Sequence, residues 1–168
     1  MPPTETTRSP AAVRRLHGAE DVRASVIQLV ARAEREVTIF APLLDPRVFD
    51  RAELVEALHR CIVQDRHRTI RILVEDAEQV LRDNPRLIAL CRKFSAFLSL
   101  RRVGPDHEGI RELFVVQDRS GVLHQDPIDR PDALLRSDSR HDAAALLERF
   151  TPMWDQAESA PGLHVTGL

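Results

Sequence analysis

Three short runs rich in β-branched and aromatic residues punctuate this chain: Glu36 to Ala41 (EVTIFA), Thr69 to Val74 (TIRILV) and Phe97 to Val103 (FLSLRRV). Such runs read as strands. Between them lie segments with helical periodicity. Val22, Val26, Ile27, Leu29 and Val30 share one face of a helix from Glu20 to about Arg35. Leu54, Val55, Leu58, Cys61 and Ile62 do the same from Arg51 to Gln64, with Asp50 as the expected N-cap. Ala77 to Arg82 and Pro85 to Phe94 give two helical pieces broken at Asn84-Pro85. Strands that alternate with helices pair in parallel through right-handed crossovers, which restricts the chain to an α/β architecture. At 168 residues it suffices for one domain with a hydrophobic core.

The carboxyl-terminal part departs from this rhythm. Glu112 to Gln117 and Val122 to Gln125 flank Asp118-Arg119-Ser120-Gly121, which reads as an antiparallel hairpin whose glycine supplies a positive φ. Asp126 to Asp138 is expected to be a polar loop, and Asp142 to Asp155 a closing helix that Pro152 kinks or ends early. The sheet is therefore mixed, with parallel strands first and the hairpin added. Pro42 and Pro46 are expected to hold an extended loop after the first strand. Residues 1–18, a Pro/Thr/Ser/Arg mixture, read as a disordered tail, 19–158 as the domain and 159–168 as a second tail. No stretch has the length or apolarity of a membrane span, and Met1 to Pro10 lacks the apolar segment of a secretory signal. Cys61 and Cys91 sit inside helical patterns and read as small buried hydrophobes rather than a disulfide or metal pair. The cytoplasm follows as the expected compartment.

Arg111-Glu112-Leu113-Phe114-Val115-Val116-Gln117-Asp118-Arg119-Ser120-Gly121 resembles the phospholipase D signature, His-x-Lys, four residues, then Asp, with its reactive groups replaced. Arg111 stands in the histidine slot and Leu113 in the lysine slot, while Asp118 is kept. Val37 to Pro46 and Ile70 to Asp76 extend the resemblance, which covers about Glu20 to Glu158. It implies one phospholipase-D-like half-fold, a mixed sheet flanked by helices. More closely, the chain is similar to a small proteobacterial domain of unknown function that in relatives follows a GNAT-type N-acetyltransferase. No acetyltransferase segment is expected here, since the chain opens on the domain itself.

The superfamily attacks a phosphodiester with a histidine, protonates the leaving oxygen with a second, and neutralises phosphoryl oxygens with lysines. Lys93 is the only lysine, and none of the seven histidines is followed by a lysine two residues on, so pairing two copies does not rebuild the site. No catalytic residue, metal site or cofactor is therefore expected; six scattered glycines form no G-x-G-x-x-G loop. Arg111, with Asp118 and Arg119, remains a candidate anion site, because a guanidinium binds oxyanions without acting as a nucleophile. The simpler reading of Arg111 is a solvated arginine at a strand end.

Other constellations are weaker. His107, between Asp106 and Glu108, has no second ligand at a recognised spacing. The acidic region from His124 to Asp142 lacks the pattern of a calcium loop. Arg66-His67-Arg68, Arg101-Arg102 and Arg119 form basic clusters, but a net charge of −2, 4% aromatics and no tyrosine make nucleic acid an unlikely partner. Phe150, Met153 and Trp154 read as core, or as a docking surface if exposed. The resemblance implies a non-enzymatic interaction or anion-binding module, a homodimer in which two half-folds pair, and an acetyltransferase partner. The alternatives are an enzyme with rewired chemistry at Asp118, His107 or His124 on a phosphate-containing substrate, and a binder of nucleic-acid backbone through the arginines.

Overall fold

The computed structural model describes residues 12–160, 162 and 163. Its elements run β1 (Val13–His17), α1 (Gly18–Arg32), β2 (Glu36–Phe40), α2 (Pro46–Phe49), α3 (Ala52–Gln64), β3 (Thr69–Val74), α4 (Ala77–Asp83), α5 (Pro85–Lys93), β4 (Leu98–Arg102), β5 (Leu113–Gln117), β6 (Gly121–Gln125), β7 (Asp132–Arg136), α6 (Arg140–Asp155) and β8 (Glu158–Ser159). They build one mixed eight-stranded sheet in the order β1-β7-β6-β5-β2-β3-β4-β8. The three β-branched runs pair in parallel as β2-β3-β4, as the alternation requires. The β5–β6 hairpin joins antiparallel against β2.

Each face of the sheet is covered. Residues of α1, α3 and α5, among them Val26, Leu58 and Leu87, pack on Val37, Ile39, Ile72, Leu100 and Val115. The opposite face buries Phe40, Leu73, Phe114, Val116 and Val122 under Leu146, Phe150, Met153 and Trp154 of α6. Phe114 contacts both Phe40, at 5.3 Å between centroids, and Phe150, edge-on at 6.3 Å. Burying such side chains stabilises by about 1.5–3 kcal/mol each. Among the described residues no helix is long and apolar enough to cross a membrane.

Several sequence expectations need correction. Val13 to His17, assigned to a tail, form β1, paired antiparallel with β7 from Val13↔Arg136 to His17↔Asp132. It is an edge strand that buries only Leu16, so its sequence shows no alternation. The rest of that tail, 1–11, lies outside the described residues. Asp132 to Arg136 of the expected polar loop form β7, burying only Ala133 and Leu135. Glu158 and Ser159 pair with β4, and Ala160 and Leu163 are buried beyond them, so the second tail begins as packed structure; residues 161 and 164–168 lie outside the described residues. The Pro42–Pro46 loop gives way to the short α2, whose first turn is capped by the Asp45 carboxylate accepting from Arg47 N at 2.9 Å.

Pro152 neither ends α6 nor stops it reaching Asp155. Asp50 does not cap its own helix, since Arg51 occupies that position. Instead, Asp50 Oδ1 accepts from Arg86 N at 2.9 Å and Leu87 N at 3.0 Å, capping α5 from outside. This frees Asn84, at the N-cap of α5, to donate to Leu44 O at 3.2 Å and Val80 O at 3.3 Å.

Candidate functional site

Because β5 runs antiparallel to β2, with Phe40 opposite Phe114, its beginning lies beside the carboxyl ends of the parallel strands. In open sheets that contain parallel strands, ligands gather at this end. Side chains alternate across the strand, so Leu113 and Glu112 leave opposite faces. Leu113 is buried and lines a cleft of about 280 Å³ together with Val22, Ala41, Leu44, Phe49 and Ile128. Arg111, just before the strand, is exposed and uses its carbonyl to accept from Ile128 N at 3.0 Å.

On the other face, Glu112 is only 6% exposed. Its carboxylate accepts both terminal nitrogens of Arg149 from α6, the longer bond being 3.2 Å. His124 Nε2, from β6, lies 2.7 Å from its Oε2. Burial alone would raise the Glu112 carboxyl, but hydrogen bonds from Arg149 and His124 outweigh it and hold the group below the ordinary carboxylate range. The same hydrogen bond to Glu112 raises Arg149 further. Glu112, His124 and Asp126 place ligand atoms within 4.8 Å of one another, the spacing of a metal site. The bidentate guanidinium already neutralises the buried carboxylate, so a cation there must displace Arg149. Glu112, paired with Arg149 and hydrogen-bonded to His124, anchors α6 to the sheet. Glu112 and Arg149, 37 residues apart, carry no spacing signal that would have paired them in the sequence.

Asp118 lies at the opposite end of β5 from Arg111, so the three residues expected to share an anion site do not. The five-residue strand β5, roughly 17 Å long, lies between them. The Asp118 carboxylate accepts from three successive backbone N–H groups: Glu34 at 3.1 Å, Arg35 at 2.8 Å and Glu36 at 3.0 Å. Gln117 Nε2 donates to it as well. Burial pushes its pKa up, but the donors from Glu36, Arg35 and Glu34 prevail and lower it. The group is thus a clamp on the α1–β2 connection, with its acceptors occupied. Asp118 itself, with φ 53°, takes the left-handed conformation expected of Gly121. Gly121 is needed for space instead: a Cβ there would lie 2.5 Å from Gln117 Oε1 and 2.8 Å from Leu29 Cδ2. Arg119 is exposed beside this turn. His107 Nε2 lies 3.0 Å from Gln156 Oε1, and the ring pairs with no acid among the described residues.

The sequence matches the family model described as a domain of unknown function, DUF7931, over residues 18–165. The chain belongs to this family. No curated protein matches it. Among solved structures it is similar to Nuc from Salmonella typhimurium, a phospholipase D family member: TM-score 0.66 and 14% identity, covering 89% of this chain and 98% of that one. NucT from Helicobacter pylori gives a TM-score of 0.62 at 9% identity, covering 89% of this chain and 99% of that one. TrmBL2, an archaeal chromatin protein, gives 0.65 at 15% identity, with 94% of this chain spanning 57% of that chain. At such identities the likeness is one of fold, and the fold of this DUF7931 member is phospholipase-D-like.

Proposed function

We propose that this DUF7931 domain is a non-enzymatic binding module built on a phospholipase-D-like half-fold. The observation that carries the reading is the local chemistry at the start of β5. An exposed arginine, Arg111, stands in the histidine slot, and a buried leucine, Leu113, lines a cleft in the lysine slot. A guanidinium stays protonated at any working pH, so it neither attacks phosphorus nor shuttles a proton. A buried leucine offers nothing to a phosphoryl oxygen. Nearby, Glu112 and His124 are spent on each other and on Arg149. The family resemblance supports a cytoplasmic homodimer acting beside an acetyltransferase, with oxyanions held rather than cleaved.

The test is hydrolysis of bis(p-nitrophenyl) phosphate by the purified protein, with and without divalent metal. The expected rate is that of buffer alone, with a single dimeric species by light scattering. Turnover that survives rigorous purification, and that disappears in His124→Ala or Asp118→Ala, overturns the reading in favour of rewired chemistry.

A further inference from the structure

Two arginines leave the same face of the sheet and line a cleft at the amino ends of the parallel strands, away from Arg111. Arg71 of β3 lies opposite Ser99 of β4, and Leu73, two residues on, lies opposite Arg101. The α6 residue Trp154 gathers both guanidinium groups: Arg101 Cζ lies 4.3 Å and Arg71 Cζ 5.7 Å from the indole centroid, and Arg71 is also 5.1 Å from the Phe150 ring. Arg101 donates to Trp154 O at 3.2 Å and Arg71 to Thr38 Oγ1 at 3.4 Å. Both side chains are half-buried, and neither pairs with a carboxylate among the described residues.

Two permanent charges placed together and partly desolvated repel one another, and the aromatic faces offset only part of that cost. Both line a cleft of about 360 Å³ that Glu36, Ser99 and Trp154 also line. Glu36 opposes one of the two charges, so the cleft keeps a net positive charge suited to an anion. The indole is already flanked by Phe150, stacked at 5.6 Å, and by Arg101, which leaves no open platform for a base. An adjoining cleft shares Arg71 and Glu36 and adds Arg119 and Glu148, so its charges balance and the positive excess is confined to the first cleft.

We propose that Arg71 and Arg101, held on Trp154, form a binding site for a phosphate-class oxyanion. The inference rests on the binding-module reading and names its ligand class. Trp154 is the only tryptophan, so its emission reports the site directly. Inorganic phosphate titrated into the full chain should give saturable binding by calorimetry and by Trp154 fluorescence. Arg71→Gln and Arg101→Gln should each weaken it about tenfold, since a charge-assisted hydrogen bond to the anion is lost. Glu36→Gln should tighten it about threefold by removing the opposing charge, which guards against loss through misfolding. Arg111→Gln should leave it unchanged. A short single-stranded oligonucleotide that displaces phosphate with steep salt dependence assigns the site to a polymer backbone; failure to displace it assigns free phosphate or a phosphomonoester. No saturable binding, or binding unaffected by the folded Arg71, Arg101 and Glu36 variants, overturns the site. Phosphodiester turnover with the site intact overturns the non-enzymatic reading alone.

Discussion

Asp118 and Arg35 meet across 83 residues of sequence, the carboxylate Oδ1 accepting the Arg35 backbone N–H at 2.8 Å. The contact ties the β5–β6 turn to the start of β2, next to the cleft shared by Arg71 and Arg119. Asp118, the residue expected from the sequence to be kept from a phospholipase D signature, therefore serves the fold.

Asp118→Ala should lower the free energy of unfolding by about 1–2 kcal/mol, because three backbone N–H groups lose their acceptor together, although those of Glu34 and Arg35 are exposed and can turn to water. Asp118→Gly relieves the left-handed backbone and should recover no more than about 1 kcal/mol of that loss. Urea denaturation measures both. The carboxyl has an unfolded value of 3.8 and a lower folded one, so its contribution is complete above the former and fades as pH falls through the latter. The difference between wild type and Asp118→Ala should stay constant from neutral pH down to about 5 and shrink below about 4.

Gly121→Ala tests the claim that this glycine is required for space rather than for φ. The added methyl meets Leu29 Cδ2 at 2.8 Å and Gln117 Oε1 at 2.5 Å. Overpacking of this kind costs about 1–3 kcal/mol. In addition, pushing the Gln117 amide aside removes its bond to Asp118, so the two effects couple. Combined with Asp118→Ala, the substitution should destabilise by less than the sum of the singles in a double-mutant cycle. Strict additivity would argue that Gln117 does not transmit the strain.

Most of the frame was legible because its apolar faces repeat. The runs at Val37–Phe40, Ile70–Val74 and Leu98–Leu100 are buried on nearly every residue, and α3 carries its stripe in one sequence window. The edges were not, because an edge strand half covered by solvent has little to alternate: β1 buries one residue of five and β7 two. The cap of α5 was hidden for a different reason, since Asp50 acts across 36 and 37 residues rather than within its own helix. At the candidate site, sequence reasoning singled out Arg111, Leu113 and Asp118 but placed Arg111 and Asp118 together. A strand carries two such residues to opposite ends of the sheet. The Glu112–Arg149 pair and the Arg71–Trp154–Arg101 cluster are products of tertiary packing.

Glu112→Gln should destabilise by about 1–2 kcal/mol, less than a fully buried pair because the Arg149 side chain is 47% exposed. The variant keeps an acceptor for His124 and loses the charge that Arg149 needs. Because the Glu112 carboxyl is held below its ordinary 4.5, the wild-type advantage is complete above that value and is lost as pH falls through the lower folded one. Thermal melts of the two proteins should therefore converge in acid and separate above about pH 5. Parallel melting curves across the range would mean that the pair contributes no charge-dependent stability.

Both thiols should resist modification while the domain is folded. Cys91 is pushed up to about 12 by burial, so almost none of it is thiolate at pH 8. Cys61 is also raised, chiefly by burial, but the nearby Arg68 guanidinium, which donates to the Cys61 carbonyl at 3.3 Å, opposes that effect. Both residues are buried and free. With Ellman's reagent at pH 8, the native protein should react orders of magnitude more slowly than in guanidinium, where both thiols react at once. Raising the pH should expose Cys61 before Cys91. At high reagent concentration the native rate should approach a plateau independent of reagent, because opening of the fold then limits modification. Rapid, reagent-dependent reaction of either cysteine in the native state would mean that α3 or α5 opens locally, without global unfolding.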